Sequence, residues 1–300
     1  MDTTKQENPQ AEWMINRRFP TYGDLLAMFG IFIAVQIVVT LIGSIALLFT
    51  GQGIIDLEPF AKGRFLALTS LVALTLTALL IWWYRRLRKA QTIHIGLGYK
   101  GLKPLLIGWC FLLMLAASIV LEPLYELMPT PNQDFGRGWW SFLAVVVIAP
   151  CFEEWICRGQ IYGSLRTRYG VARSMVLSAL VFGLMHVQPV PVVNAFVLGL
   201  VLAFIYHVCN TLWAPIILHA LNNAIAYFMT LAGYGDQTFR SLFGESQTGY
   251  LIFYATALVL CVGSLIRIWR LLQAEQSRST TSVESPQNAS EEQKISSEKQ

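Results

Sequence analysis

The sequence predicts an all-α fold: a polytopic membrane bundle of about eight transmembrane helices with both termini in the cytoplasm. Three observations predict it. Of 300 residues, 55% are hydrophobic and only 13% are charged, whereas a soluble domain carries about 25% charged residues. Apolar runs recur along the chain, and about 20 apolar residues cross the hydrocarbon of a bilayer. Basic residues collect on alternate loops, which sets orientation by the positive-inside rule.

The elements follow in order. Residues 1–20 form a polar cytoplasmic segment ending in Arg17 and Arg18, with no short apolar core, so no cleavable signal is expected. The membrane domain runs from 21 to 272 and its motif-bearing core from 139 to 231. Its spans are Asp24 to Phe49, Phe65 to Tyr84, Leu105 to Leu121, Trp139 to Tyr162, Ser174 to Val187, Val192 to Val208, Leu212 to Leu231 and Tyr250 to Ile268. Trp82, Trp83 and Tyr84 suit an interfacial belt. One set of loops holds Arg85, Arg86, Arg88, Lys89, Lys100, Lys103, Arg166, Arg168, Arg173 and Arg270; the other holds only Lys62, Arg64, Arg137 and Arg240. Residues 273–300 are Ser-, Glu-, Gln- and Lys-rich and are expected to be a disordered cytoplasmic tail. The five cysteines are scattered through apolar runs without metal-ribbon spacing and read as packing residues.

Polar groups inside the spans are the functional candidates. Pro150-Cys151-Phe152-Glu153-Glu154-Trp155-Ile156-Cys157-Arg158 puts two carboxylates and a guanidinium into span four. A charge at mid-membrane costs roughly 2.5–3.5 kcal/mol, so such a cluster marks function by default. Glu154 and Arg158 stand at i,i+4 and suit an ion pair. Glu153 lies about 100° round the helix and is left for another task. Pro150 removes a helical donor and is expected to bend the helix. The competing structural reading makes all three charges an internal lock between helices.

His186 lies in span five; His219 and Asn223 stand at i,i+4 in span seven. Counted from the cytoplasmic helix ends, Glu153 is about 14 Å deep, His219 about 10 Å, Asn223 about 16 Å and His186 about 18 Å. They are therefore expected to meet in one cavity, open to the cytoplasm. Taken singly, His186 suits a backbone contact, and His219 with Asn223 suits interhelical bonding. His207 lies near a helix end without a polar partner at helical spacing, His94 lies in a basic loop, Asn194 reads as a helix-start or packing residue, and Asn222 ranks below Asn223.

Carboxylates, imidazoles and an amide together suit water attack on an amide carbonyl, with a carboxylate as base and amide or imidazole donors for the oxyanion. The same residue types hold zinc; if a metal is bound, the ligands would be Glu153, His186 and His219. No HExxH or GxSxG is present, and Cys151 and Cys157 lack a supporting motif.

These residues resemble the CPBP family, the CAAX-protease and bacteriocin-processing (Abi) intramembrane proteases. Its motifs EExxxR, FxxxH and HxxxN stand here as Glu153-Glu154-Trp155-Ile156-Cys157-Arg158, Phe182-Gly183-Leu184-Met185-His186 and His219-Ala220-Leu221-Asn222-Asn223. The resemblance implies a helical bundle with a cytoplasm-facing cavity. It also implies that Glu153 activates water, His186 helps hold it, and His219 and Asn223 stabilise the oxyanion. Glu154, Arg158 and Phe182 would shape the site. The family was long described as metal-dependent, and a glutamate–water mechanism is now favoured for its CAAX-processing members. No cofactor is firmly implied, although a divalent metal such as zinc remains open.

The leading expectation is an endopeptidase cleaving a peptide bond near the cytoplasmic membrane face. Its partners would be a peptide or membrane-protein substrate, with or without a lipid, and the lipid bilayer, with no nucleic acid. The short loops suit a bacterial inner membrane. The alternative is a non-catalytic immunity or scaffold protein; a proton-coupled transporter would also use intramembrane Glu and His, but no two-halved repeat is present.

Overall fold

The computed structural model describes residues 18–129, 134–235 and 237–297, with side chains described as far as residue 277. Most of the N-terminal polar segment lies outside the described residues. Eight apolar helices carry the fold. Six are long enough to cross a membrane: α1 (Tyr22–Leu48), α2 (Pro59–Leu87), α4 (Trp139–Tyr169), α6 (Pro189–Cys209), α7 (Trp213–Leu231) and α8 (Gln247–Ser297). Two are shorter: α3 (Pro104–Val120) and α5 (Val171–Leu184). The bundle has no strand among the described residues, and its helices carry exposed Leu, Ile, Val and Phe side chains suited to lipid contact.

Local chemistry explains the boundaries. Thr21 caps α1: its hydroxyl accepts from Asp24 N at 3.1 Å and its own N–H donates to Asp24 Oδ2 at 2.8 Å, a capping box. Proline occupies the first turn of α2, α3 and α6, where its missing N–H costs nothing. Pro189 and Pro191, which stand between the expected spans five and six, lie in the first turn of α6. Gly170 at φ 75 ends α4, and Asn210 at φ 49 ends α6. Arg166 and Arg168 thus sit in the last turn of α4 rather than in a loop. α8 continues to Ser297, through Pro286 and a Ser- and Thr-rich stretch whose intrinsic helix propensity is low.

The basic loops assemble at one end of the bundle. Asp24, at the start of α1, accepts from Tyr84 Oη and Arg88 Nε, both at 2.7 Å, at the end of α2. Arg168 bonds the carbonyls of Arg18 and Pro20, and Lys103 pairs with Glu275 at 2.5 Å. By the positive-inside rule this is the cytoplasmic end. At the opposite end the 134–138 loop is clamped to α2: Arg137 N donates to Pro59 O at 2.9 Å and Lys62 pairs with Asp134 at 2.5 Å.

Candidate active site

Helix α4 departs from α geometry on both sides of the glutamate pair. Leu143–Ile148 and Trp155–Tyr162 are π-helical, with one α segment, Ala149–Glu154, between them. Pro150 explains the first: without an N–H it cannot close the α hydrogen bond one turn back, and the backbone before it widens. Such bulges are frequent at functional sites. No comparable sequence feature announces the second.

Glu154 and Arg158 are fully buried. Arg158 Nη1 donates to Glu154 Oε1 at 2.9 Å, Nη2 donates to Gly199 O at 3.0 Å, and the guanidinium lies 4.4 Å from the centre of the Phe182 ring. Gly199 also lets α5 pack closely on α6, since a Cβ there would meet Ala179 Cα at 3.0 Å and Phe182 Cδ1 at 3.2 Å. Glu154 Oε1 also accepts from His219 Nδ1 at 2.9 Å. One carboxylate oxygen thus joins α4 to α7, and its arginine joins α4 to α6. Phe182 is completely buried and sets both histidines, meeting the His186 ring at 5.1 Å and the His219 ring at 5.3 Å edge-on.

Glu153 is apart from this lock. It faces a cavity of about 290 Å³ whose lining includes His186, His219, Asn222 and Asn223. Its Oε2 is 3.9 Å from His219 Nε2. His186 Nδ1 is 2.9 Å from Phe182 O, which fixes the ring against its own helix and makes Nδ1 the donor. Asn223 Nδ2 donates to Val145 O at 3.0 Å, a carbonyl in the π segment. All five polar residues expected to act together, Glu153, Glu154, His186, His219 and Asn223, are therefore in one place. Two amides were undervalued: Asn194 and Asn222 also line the cavity. Asn194 was read as packing, and its Oδ1 does accept from Tyr125 Oη at 3.2 Å. What its sequence position could not show is that the α5–α6 turn brings it to the cavity wall.

Next to the cavity, towards the basic end, Ile156, Cys157, Leu165, Ile205 and Leu218 are 0–1% exposed and packed. The lining continues the other way, through Ala149, Val145 and Ala226 to Leu66 and Phe135. Depth counted from helix ends locates groups along the membrane normal, but not which side of them is filled.

Among the described residues no three His, Cys, Asp or Glu side chains are grouped to hold a metal. His219 Nδ1 donates to Glu154 and His186 Nδ1 to a backbone carbonyl, which leaves Nε2 of each ring as the atom available to a ligand. Glu153, His186 and His219 are not among such groups in this geometry.

Residues 135–225 match a family model described as type II CAAX prenyl endopeptidase Rce1-like. Over 119 residues the chain is 25% identical to the Bacillus subtilis (strain 168) protein named "Putative membrane peptidase YdiL", covering 40% of this chain and 43% of that protein. The chain thus spans less than half the length of this curated relative. No solved structure matches. The family match spans the glutamate pair, His186, His219 and Asn223, and over that core this multi-pass membrane chain is similar to CAAX-type prenyl endopeptidases.

Proposed function

We propose that the chain is an intramembrane endopeptidase in which Glu153 activates water for attack on a peptide carbonyl. The observation that carries this is the separation of the two carboxylates. Glu154 is buried and fixed by Arg158 and His219, while Glu153 faces a cavity beside two imidazoles. A base must reach both water and substrate, and Glu153 meets that condition.

The chemistry follows from the donors present. Water held between Glu153 and His186 Nε2 gives a proton to the Glu153 carboxylate as its oxygen attacks the carbonyl carbon. The oxyanion forms opposite, towards the Asn223 amide and, when the ring is an imidazolium, the His219 Nε2–H; the two side chains are held by Val145 O and Glu154, and donors held in place before reaction are worth more than donors that must reorganise. Collapse of the tetrahedral species breaks the C–N bond, and the proton on Glu153 passes to the leaving amine. Glu154, Arg158 and Phe182 position the histidines and touch no reacting atom. The substrate is a peptide or a membrane-protein segment, and the reading places the chain in a bacterial plasma membrane, supported by its short loops and its Bacillus relative.

The test compares protein termini in cells carrying the wild-type chain or Glu153→Gln at equal membrane abundance. Termini that vanish with the amide variant establish proteolysis and name the substrate. Identical termini would overturn the reading in favour of a binding protein.

A further inference from the structure

Asn194 of α6 lines the same cavity as Glu153, yet its amide is oriented from outside that cavity. Tyr125 Oη lies 3.2 Å from Asn194 Oδ1, and Ser118 Oγ of α3 lies 3.4 Å from the same atom. Ser118 has one hydroxyl hydrogen and a nearer acceptor for it, Met114 O at 3.1 Å. Tyr125 has no other acceptor among the described residues, so its O–H donates to the amide oxygen and turns that oxygen towards α3. The amide nitrogen then points the other way. No α3 side chain is in the cavity lining, so the side of Asn194 turned from α3 is the one that faces the cavity. Nδ2 donates to no acceptor among the described residues.

Tyr125 is itself held in place. Its single helical turn, Glu122–Tyr125, carries the buried Glu122. Glu122 Oε1 accepts from Arg240 N at 3.0 Å, and Oε2 accepts from Tyr250 Oη of α8 at 3.1 Å. Glu122, Tyr125, Arg240 and Tyr250 all lie outside residues 135–225, the part of the chain that the family model matches. The orientation of one amide on the cavity wall is therefore set by parts of this chain that flank the shared core.

An amide whose oxygen is fixed and whose N–H2 faces a cavity is a donor prepared for a carbonyl, and fixing it beforehand lowers the cost of binding. The carbonyl under attack already has Asn223 and His219 to receive its oxyanion. We infer that Asn194 is a substrate-binding residue whose Nδ2 donates to a peptide carbonyl flanking the scissile bond, and that Tyr125 is the positioning residue that turns the amide to it. This rests on the peptidase reading. The competing role is a fastener between α6 and the Glu122–Tyr125 turn; it needs only the bond at Oδ1 and gives Nδ2 nothing to do.

The test uses the purified full chain in detergent micelles with a synthetic peptide spanning a Glu153-dependent terminus, and rates are taken per folded chain well below the melting temperature. Asn194→Ala should lower kcat/KM roughly 2–13-fold, the worth of one neutral hydrogen bond, chiefly by raising KM. Tyr125→Phe should lower it by less, and should lower it no further in the Asn194→Ala background. A thioamide, whose sulfur is the weaker acceptor, is then placed at each non-scissile position of the peptide in turn. At one position it should slow the wild type and leave Asn194→Ala unaffected.

A lower melting temperature with wild-type kcat/KM would overturn the assignment and leave Asn194 a fastener. Additive losses for Asn194→Ala and Tyr125→Phe would overturn the positioning role of Tyr125. If Asn194→Ala does not fold, Tyr125→Phe, which removes one hydroxyl, carries the test: a thioamide penalty at every position equal to that of the wild type would overturn the proposal. The absence of any Glu153-dependent terminus would overturn the peptidase reading and this assignment with it, whereas Glu153-dependent cleavage indifferent to Asn194 overturns this assignment alone.

Discussion

The two halves of the bundle along the membrane normal are filled differently. Towards the basic end, α4, α6 and α7 meet through fully buried side chains such as Ile161, Leu202 and Leu212, and the boundary of that half is the Glu154–Arg158–His219 lock. Towards the other end the same helices diverge around a cavity of about 290 Å³ lined by amides and alanines. Adjacent glutamates stand on either side of the boundary: Glu154 belongs to the packed half and Glu153 to the open one. About 100° of helix rotation separates a structural carboxylate from a chemical one.

Substitution of the two glutamates breaks this comparison most directly. Glu153→Gln should lower cleavage by about 10²–10⁴-fold, the usual contribution of a general base, with the melting temperature in detergent unchanged. Arg158→Ala should do the reverse in kind. It leaves Glu154 buried without its cation, and removing one partner of a buried pair costs roughly 3–5 kcal/mol. Thermal unfolding should therefore shift sharply down, and activity should fall with folded yield. Replacing both Glu154 and Arg158 by leucine and methionine should recover part of that stability without recovering activity, because His219 loses the acceptor at its Nδ1. Equal stability losses for Glu153→Gln and Arg158→Ala would show that the two carboxylates do one job.

The glutamate pair, its arginine and the order of the motifs were legible in the sequence because charges inside apolar runs stand out against a lipid-solvated background. The eight apolar helices were legible for the same reason. The filling of each half was not. Leu202 and Leu198 are both apolar residues of α6, yet one is sealed in the packed half and the other lines the cavity. That distinction depends on where α5 ends, and α5 ends at a turn that local preference does not favour. Val187 adopts φ 64, a conformation that β-branched residues avoid. Gln188 N donates to His186 O at 2.7 Å across it, closing a strained three-residue turn.

That turn sharpens the comparison at intermediate scale. Val187→Gly removes a steric cost of roughly 1–3 kcal/mol and adds roughly 0.5–1 kcal/mol of backbone entropy. The variant should unfold at or slightly above the wild-type temperature. Cleavage should nevertheless fall, because a looser turn lets the His186 ring leave Phe182 O. A stable variant of unchanged turnover would show that the strained turn does not position His186.

The smallest effect is expected at the rim of the open half. Asp134 is held below the usual carboxylate range, first by the Lys62 ammonium that donates to it and then by the Gly136 N–H at 3.0 Å. A carboxylate with a depressed folded pKa contributes stability that is complete above its unfolded value, about 3.9, and is lost as pH falls through the folded value. The pair is largely exposed, with Asp134 at 60%, so solvent screening limits it to less than about 1 kcal/mol. Asp134→Asn should lower the melting temperature slightly at neutral pH, and the gap to wild type should close below about pH 4. Because Asp134 precedes Phe135 at the cavity rim, the variant should also quicken labelling of a Phe135→Cys chain by a water-soluble maleimide. Labelling of a Lys100→Cys chain, beyond the packed half, should not change, and a parallel change at both positions would mean that the loop clamp supports the whole bundle rather than the open half alone.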